Sequence, residues 1–130
     1  MDAFEEFCRK NRVTDAARHA ADLALEEHLT NVLEYGFSDG EDCWISVELG
    51  VDQNILLAKI ADTGKAYNPL NAPAVDTTLP LEEKAIGGLG VYLMKQMMDE
   101  LSYARDGRMN VLRMTKGMAP RDDERAGPQS

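Results

Sequence analysis

The chain has 130 residues, the size of one ordinary domain, and this length is enough to bury a real core. It is 44% hydrophobic and 28% charged, which is typical of a soluble globular protein, and no apolar run approaches the ~20 residues of a membrane span. The formal net charge of -9 argues against nucleic acid or an anionic membrane as the main partner, because both repel such a surface.

The first part of the chain predicts two helices. Apolar side chains recur at helical spacing within residues 2–12, which predicts a short first helix. Thr14 and Asp15 form a capping pair for a second, long helix, and Gly36 is a natural C-terminal stop.

The N-terminus and the cysteines indicate the cellular compartment. The opening MDAFEEFCRK is acidic and lacks the apolar segment of a secretory signal. Cys8 and Cys43 lie far apart in the sequence and form no CxxC motif, which predicts two free, buried or half-buried thiols. We therefore expect a protein of the reducing cytoplasm.

The second half of the chain predicts four strands and one more helix. Two β-rich runs, at about residues 43–51 and 54–62, read as a hairpin around Asp52-Gln53. A long loop with three prolines follows, then a glycine cluster that opens a helix to about Leu101. A second hairpin turns at Asp106-Gly107. Helices and strands that do not alternate one for one predict an α+β fold, with helices on one face of a mostly antiparallel sheet.

We expect a single domain over residues 1–118 and a disordered tail over 119–130. The tail is polar, charged and contains Pro and Gly, so it lacks the apolar surface for packing.

Glu27 and Asn31 are the first candidate site residues. They are four residues apart, so their side chains are neighbours on a helix, and they point away from the apolar stripe that contains Leu25. A carboxylate beside a carboxamide is able to hold Mg²⁺ or its water, and the carboxylate is able to take a proton from a hydroxyl. Taken alone, the pair is more typical of an exposed helix face than of a site. Glu26 and His28 read as surface or packing residues.

Asp62 and Gly64 form the second candidate. Asp62 ends an apolar strand, and Gly64 permits a turn that a side chain would block. A carboxylate at this position is able to accept a hydrogen bond from an exocyclic amine, as adenine recognition requires. An ordinary strand-to-loop turn is the alternative.

The third candidate is the segment IGGLG, with glycines at 87, 88 and 90. A helix N-terminus presents free N–H groups and the positive end of the helix dipole, and glycines let an anion approach closely. The segment matches neither a Walker P-loop nor a dinucleotide fingerprint.

In order and spacing, the three motifs together resemble the Bergerat (GHKL) ATP-binding fold, which histidine kinases, the gyrase B subunit and MutL share. The nearer likeness is to the anti-sigma factor serine kinases of the RsbW/SpoIIAB type. The segment ALEEHLTNVLEYGF is similar to their N box, DTGKAYNP to their first glycine box, and LEEKAIGGLGVYLMKQMMDELSY to their lid end and second glycine box. The likeness runs from about residue 14 to 117.

The resemblance implies a role for each motif. Glu27 would be the general base and Asn31 would ligate Mg²⁺. Asp62 would contact the adenine amino group, and Gly64 would shape the wall beneath the base. Residues from about 68 to 86 would form the mobile ATP lid. The other nucleotide-binding positions that the resemblance implies are Tyr67, Gly87, Gly88, Leu89 and Gly90, with the three glycines around the phosphates.

The chain departs from the family pattern in three respects. Tyr67-Asn68 stands where the family usually has Phe-Asp, a mild change. A helix stands almost at the start, where many relatives have a strand. No His-bearing dimerisation helix is present, which argues against a complete sensor histidine kinase.

The function that the resemblance implies is an ATP- and Mg²⁺-dependent serine kinase that phosphorylates a small antagonist protein. Such a kinase also sequesters a sigma factor or another regulator in a partner-switching module, and the family suggests a homodimer. Two alternatives stay open. One is a protein-binding module that uses nucleotide only to set its shape, and the other is a stand-alone histidine-kinase-like catalytic domain that acts in trans.

Overall fold

The structure is a computed structural model, and it describes residues 2–38, 40, 42–71 and 88–118. Helix α1 spans Asp2–Lys10 and helix α2 spans Asp15–Tyr35. The Thr14 side chain accepts a hydrogen bond from the backbone N–H of Ala17, which confirms the predicted start of α2. Helix α2 also ends as predicted, where the Gly36 N–H donates to the Val32 carbonyl.

Strands β1 (Ile45–Asp52) and β2 (Ile55–Asp62) form the first antiparallel hairpin. The hairpin prediction is confirmed, but its turn lies one residue later than predicted, at Gln53-Asn54. Both turn residues have positive φ, 50° and 63°. A two-residue turn of this kind matches the twist of the strands, and Asn tolerates the left-handed conformation.

After a short 3₁₀ helix at Pro69–Asn71, the chain continues with helix α3 (Gly88–Met97), strand β3 (Glu100–Asp106) and strand β4 (Met109–Gly117). The prediction that α3 reaches Leu101 is wrong, because Leu101 pairs with Met114 in the sheet. Two residues, 98 and 99, separate helix from strand. The second hairpin is confirmed, but its turn lies one residue later than predicted, at Gly107-Arg108, because Asp106 still pairs with Met109.

The four strands form one antiparallel sheet in the order β1-β2-β4-β3. Helix α2 packs against α3 and against the two central strands. Its core side carries four buried alanines, and small side chains let the helix lie close to its neighbours. The core also contains Leu56, Ile60 and Met94, none of which is exposed. The predicted α+β fold, with helices on a mostly antiparallel sheet, is confirmed.

Several predictions fall on parts of the chain that the structure does not cover. Most of the predicted ATP lid (residues 72–86), Gly87 and the predicted tail (119–130) lie outside the described residues. Within the described ranges, no helix combines the length and the apolar character that crossing a membrane requires. Cys8 is buried and free as predicted, whereas Cys43 is exposed, because it lies in the segment before β1 rather than under a helix.

Candidate functional site

The end of helix α2 meets the turn that follows strand β2. The backbone N–H of Lys65 donates to the Gly36 carbonyl over 3.0 Å. Gly64 sits so close to this carbonyl that a Cβ atom would lie 2.8 Å from the Gly36 oxygen. A side chain at position 64 would therefore push the turn away from α2, and the contact joins the Asp-x-Gly turn to the helix.

Asp62 is the last residue of β2, and its side chain is 2% exposed. Its Oδ1 accepts two hydrogen bonds, from the Gly64 N–H at 2.8 Å and from Asn110 Nδ2 at 3.0 Å. None of the described residues donates to Oδ2. One oxygen thus fixes the carboxylate, and the other is available to a ligand.

Asn110 is the centre of the hydrogen-bond network around Asp62. The strand register puts Asn110 directly opposite Asp62, and its side chain is 7% exposed. Besides Asp62, its Nδ2 donates to the carbonyls of Gly64 (3.3 Å) and Lys65 (2.9 Å). Its Oδ1 accepts from the Tyr67 N–H (3.2 Å) and from the Tyr103 hydroxyl. One carboxamide thereby fixes the carboxylate, the turn and the next strand together.

Strand β3 supports the same turn from the other side. The guanidinium of Arg105 donates to the Gly64 carbonyl over 3.0 Å, and Arg105 is the register partner of Asn110. The backbone after Asp62 is therefore held by side chains from two neighbouring strands.

A small cavity of about 20 Å³ lies between α2 and the sheet at this point. Its lining residues come from the second half of α2, the end of β2 and the turn after it, and strands β3 and β4. They are His28, Asn31, Val32, Gly36, Asp62, Lys65, Tyr67, Tyr103, Asn110 and Leu112. A concave, mostly apolar space with a few fixed polar groups is the usual form of a small-molecule site.

His28 is the unusual residue of this cavity. Its side chain is 5% exposed, and its Nδ1 atom is buried without a hydrogen-bond partner among the described residues. Burial lowers the pKa of His28 from 6.5 to about 4, although the nearby Asp62 carboxylate acts in the opposite direction. His28 is therefore neutral at neutral pH.

The structure brings three of the predicted site residues to the cavity wall, namely Asn31, Asp62 and Tyr67. Gly64 lies directly beside Asp62. Glu27 is half-buried on α2, one turn before Asn31, and does not line the cavity.

The glycine cluster lies at the start of α3. Gly88, Leu89 and Gly90 form the first turn of this helix, which packs against α2.

Sequence reasoning missed two residues of the site. Asn110 carried a signal, since it is a polar side chain of low strand propensity within an otherwise apolar strand pattern. His28 carried one as well, because it is three residues from Asn31 and four from Val32 and so shares their helix face. The prediction that His28 serves the surface or packing overlooks its place in the cavity.

Comparison with known proteins identifies the family of the chain. The model of a family described as histidine kinase-like ATPase domain matches residues 1–116. The chain belongs to this family. Serine/threonine-protein kinase BtrW of Bordetella bronchiseptica is 30% identical over 116 residues, which are 89% of this chain and 82% of that protein. Serine-protein kinase RsbW of Bacillus cereus is 31% identical over 100 residues, 72% of this chain and 60% of that protein.

Solved structures show the same fold. The histidine kinase domain of a blue-light activated histidine kinase from Erythrobacter litoralis superposes with a TM-score of 0.57 at 19% identity, over 78% of this chain and 47% of that chain. The histidine kinase AdeS of Acinetobacter baumannii gives a TM-score of 0.50 at 16% identity, over 79% and 48%. The chain thus spans about half the length of these two kinase structures.

Proposed function

We propose that this protein is an ATP-dependent serine-protein kinase that regulates other proteins by partner switching. It phosphorylates a serine of a small antagonist protein and sequesters a sigma factor or another regulator. The names of BtrW and RsbW support the kinase part of this proposal, since both are serine-protein kinases that align with most of this chain.

The arrangement of Asp62 is the observation that carries the nucleotide part. Its Oδ1 is held by Gly64 and Asn110, and its Oδ2 remains available beside the cavity. An ionised carboxylate is an acceptor only, so its free oxygen suits the amino group of adenine and repels the keto oxygen that guanine has there.

We assign the phosphates to the first turn of α3. Gly88, Leu89 and Gly90 begin this ten-residue helix, whose first backbone N–H groups have no partner within the helix. Free N–H groups and the helix dipole stabilise phosphate oxygens there. We also assign Gly87 to the phosphates, and residues from about 68 to 86 to a lid over the nucleotide.

Asn31 fits a role in holding Mg²⁺. Its carboxamide oxygen is a suitable ligand, and the side chain lines the cavity. The described residues contain no group of three or more His, Cys, Asp or Glu side chains able to hold a metal. Mg²⁺ usually keeps several waters and takes few protein ligands besides substrate phosphates, so Asn31 would hold the ion together with phosphate oxygens and water. The bound ion supplies positive charge that offsets the charge on the transferred phosphoryl group.

Glu27 then serves as general base. The serine hydroxyl oxygen of the substrate protein bonds to the γ-phosphorus, and the bond from that phosphorus to the β–γ bridging oxygen breaks. ADP leaves and Glu27 takes the hydroxyl proton. Glu27 is half-buried beside the cavity rather than in its wall, which leaves it reachable from a docked protein.

Two measurements test this function. Calorimetry of Mg-ATP and Mg-GTP should give binding of ATP and much weaker binding of GTP; equal affinities would contradict the Asp62 assignment. Labelled phosphate from ATP should then appear on serine of a small protein that copurifies with the chain from its native cell. Tight binding of Mg-ATP without transfer to any copurified protein would replace the kinase by a nucleotide-gated binding module. Transfer to histidine would favour the histidine-kinase-like alternative.

A further inference from the structure

We propose that His28 is a base-recognition residue, which supplies the hydrogen-bond donor that the Asp62 carboxylate lacks and so selects adenine. This inference rests on the proposed nucleotide binding. It extends that binding to a residue that lies between Glu27 and Asn31 in the sequence but has no role in the predicted site. Its support comes from the position, the unpaired atom and the charge state of the side chain.

The position of His28 is next to the proposed base contact. His28 and Asp62 line the same cavity, one from α2 and the other from the end of β2. They are also close enough for the Asp62 charge to act on the imidazole. A planar base that contacts Asp62 between helix and sheet therefore lies beside the imidazole ring.

The unpaired Nδ1 atom of His28 favours binding of a ligand that pairs it. Asp62 and Asn110, the other buried polar side chains of the described core, have hydrogen bonds, whereas His28 Nδ1 has none within the described chain. An unpaired buried nitrogen is costly, and a ligand that pairs it, directly or through one water, removes that cost.

The charge state suits adenine. Because the imidazole is neutral at neutral pH, one ring nitrogen is a donor and the other an acceptor. The amino group of adenine is flanked by two ring acceptors, N1 and N7. Asp62 accepts from the amino group, and the imidazole N–H donates to one of the flanking nitrogens. Guanine presents O6 in place of the amino group and so opposes Asp62.

Calorimetry with base-modified nucleotides tests the contact. The probes are ATP, 1-deaza-ATP and 7-deaza-ATP, each with Mg²⁺, on wild type and on His28→Phe. Phe keeps a flat ring but has no hydrogen-bonding atom. The exposed His19 is the other histidine of the chain, on the same helix, so His19→Phe is the matched control.

On wild type, one deaza analogue should bind about five- to tenfold more weakly than ATP, the usual effect of one hydrogen bond. The affinity of His28→Phe for ATP should be lower than that of wild type by a similar factor. His28→Phe should bind that analogue and ATP with equal affinity. His19→Phe should behave as wild type. The assignment is overturned if both analogues bind wild type as tightly as ATP does. It is also overturned if the analogue binds His28→Phe more weakly than ATP by the same factor as in wild type.

Nitrogen NMR on the wild type keeps the test valid if His28→Phe fails to fold. The chain has 2 histidines, so two imidazole signal sets are expected. Saturation with Mg-ADP should shift the ring-nitrogen signals of His28 and leave those of His19 unchanged; no shift at His28 would overturn the assignment. Absence of any ATP binding by wild type would instead remove the proposed function, and the His28 assignment with it.

Discussion

The two ends of the proposed nucleotide site are built differently. At the base end, which we define as Asp62, Gly64 and Asn110, hydrogen bonds from several elements hold the turn and one oxygen of the Asp62 carboxylate. On the helix face, defined as Glu27 and Asn31, none of the described residues forms a hydrogen bond with either side chain. Among the described residues, that pair is positioned by helix α2 itself.

This difference indicates which functions the folded chain prepares in advance. If the base end binds the adenine base as proposed, affinity and base selectivity should depend on its hydrogen-bond network. In the proposed function, the partners of the helix-face pair are metal, phosphate and a substrate protein. Changes there should affect chemistry and leave the fold intact, whereas changes at the base end should affect both.

The largest expected effect is on the helix face, in Glu27→Gln. The shape of the side chain is retained but the base is lost, so phosphate transfer should fall about 10²–10⁴-fold. ATP affinity should stay within a few-fold, and the melting temperature should not change. Single-turnover transfer assays and calorimetry measure these quantities. Glu26→Gln, on the exposed side of the same helix, is the control. Full transfer activity in Glu27→Gln would remove Glu27 from the mechanism.

Asn110→Leu should break the base end. It leaves the Lys65 carbonyl and the Tyr67 N–H without their side-chain partner, and it removes one donor from Asp62. The Gly64 carbonyl keeps only its hydrogen bond from Arg105. Loss of a buried network of this kind should lower the free energy of unfolding by about 3–4 kcal/mol. Urea unfolding measures it. Asn71→Leu, at an exposed position, should change stability little. If the two variants were equally stable, the network would not be what fixes the base end.

The sequence predicted the fold well because its signals were local. Thr14 and Gly36 bound the long helix, and period-two runs identify both hairpins. The errors arose where a local signal competes with pairing across the sheet. Leu101 continues the apolar pattern of α3, yet the register with Met114 takes it into β3.

The candidate site was predictable only in part. Asn31, Asp62 and Gly64 belong to short motifs, so their types and spacing identify them from the sequence. Asn110 acts through a contact 48 positions away in the chain, from β4 to Asp62. His28 enters the cavity because α2 lies over the end of β2. Neither relation is contained in local spacing, and both follow from the register and the packing of the helix on the sheet.

The pH dependence of stability tests the buried, unpaired imidazole of His28. The folded pKa of His28 is about 4 and the unfolded value is 6.5, so the unfolded chain binds the proton first as pH falls. Stability should be complete above about pH 6.5, fall between there and pH 4 by up to about 3 kcal/mol, and change no further through this group below pH 4. The free energy of unfolding is measured against pH in wild type and in His28→Gln, and the two slopes are compared. His19→Gln is the control, and a slope shared by wild type and His28→Gln would refute the assignment.

Gly64→Ala is expected to give the smallest effect, and it tests whether the base end depends on close backbone contact. The new Cβ would lie 2.8 Å from the Gly36 carbonyl oxygen and 2.9 Å from Asp62 Oδ1. Carbon atoms do not approach oxygen so closely, so the turn must move away from α2. The cost should be about 1–2 kcal/mol of unfolding free energy, in the range for an added methyl in a packed region. ATP affinity should fall as well, since the Gly64 N–H that holds Asp62 moves with the turn.

Gly50→Ala is the matched control for that variant. Gly50 lies within β1, and nothing is within 4 Å of the Cβ that alanine would add. Replacing a strand glycine by alanine in open space should be neutral or slightly stabilising, because the unfolded chain loses conformational freedom. Thermal unfolding and ATP calorimetry on both variants separate a general glycine effect from a local one. If Gly64→Ala were as stable as Gly50→Ala and bound ATP like wild type, the turn would adapt without cost. The base end would then owe its geometry to the Asn110 hydrogen bonds alone.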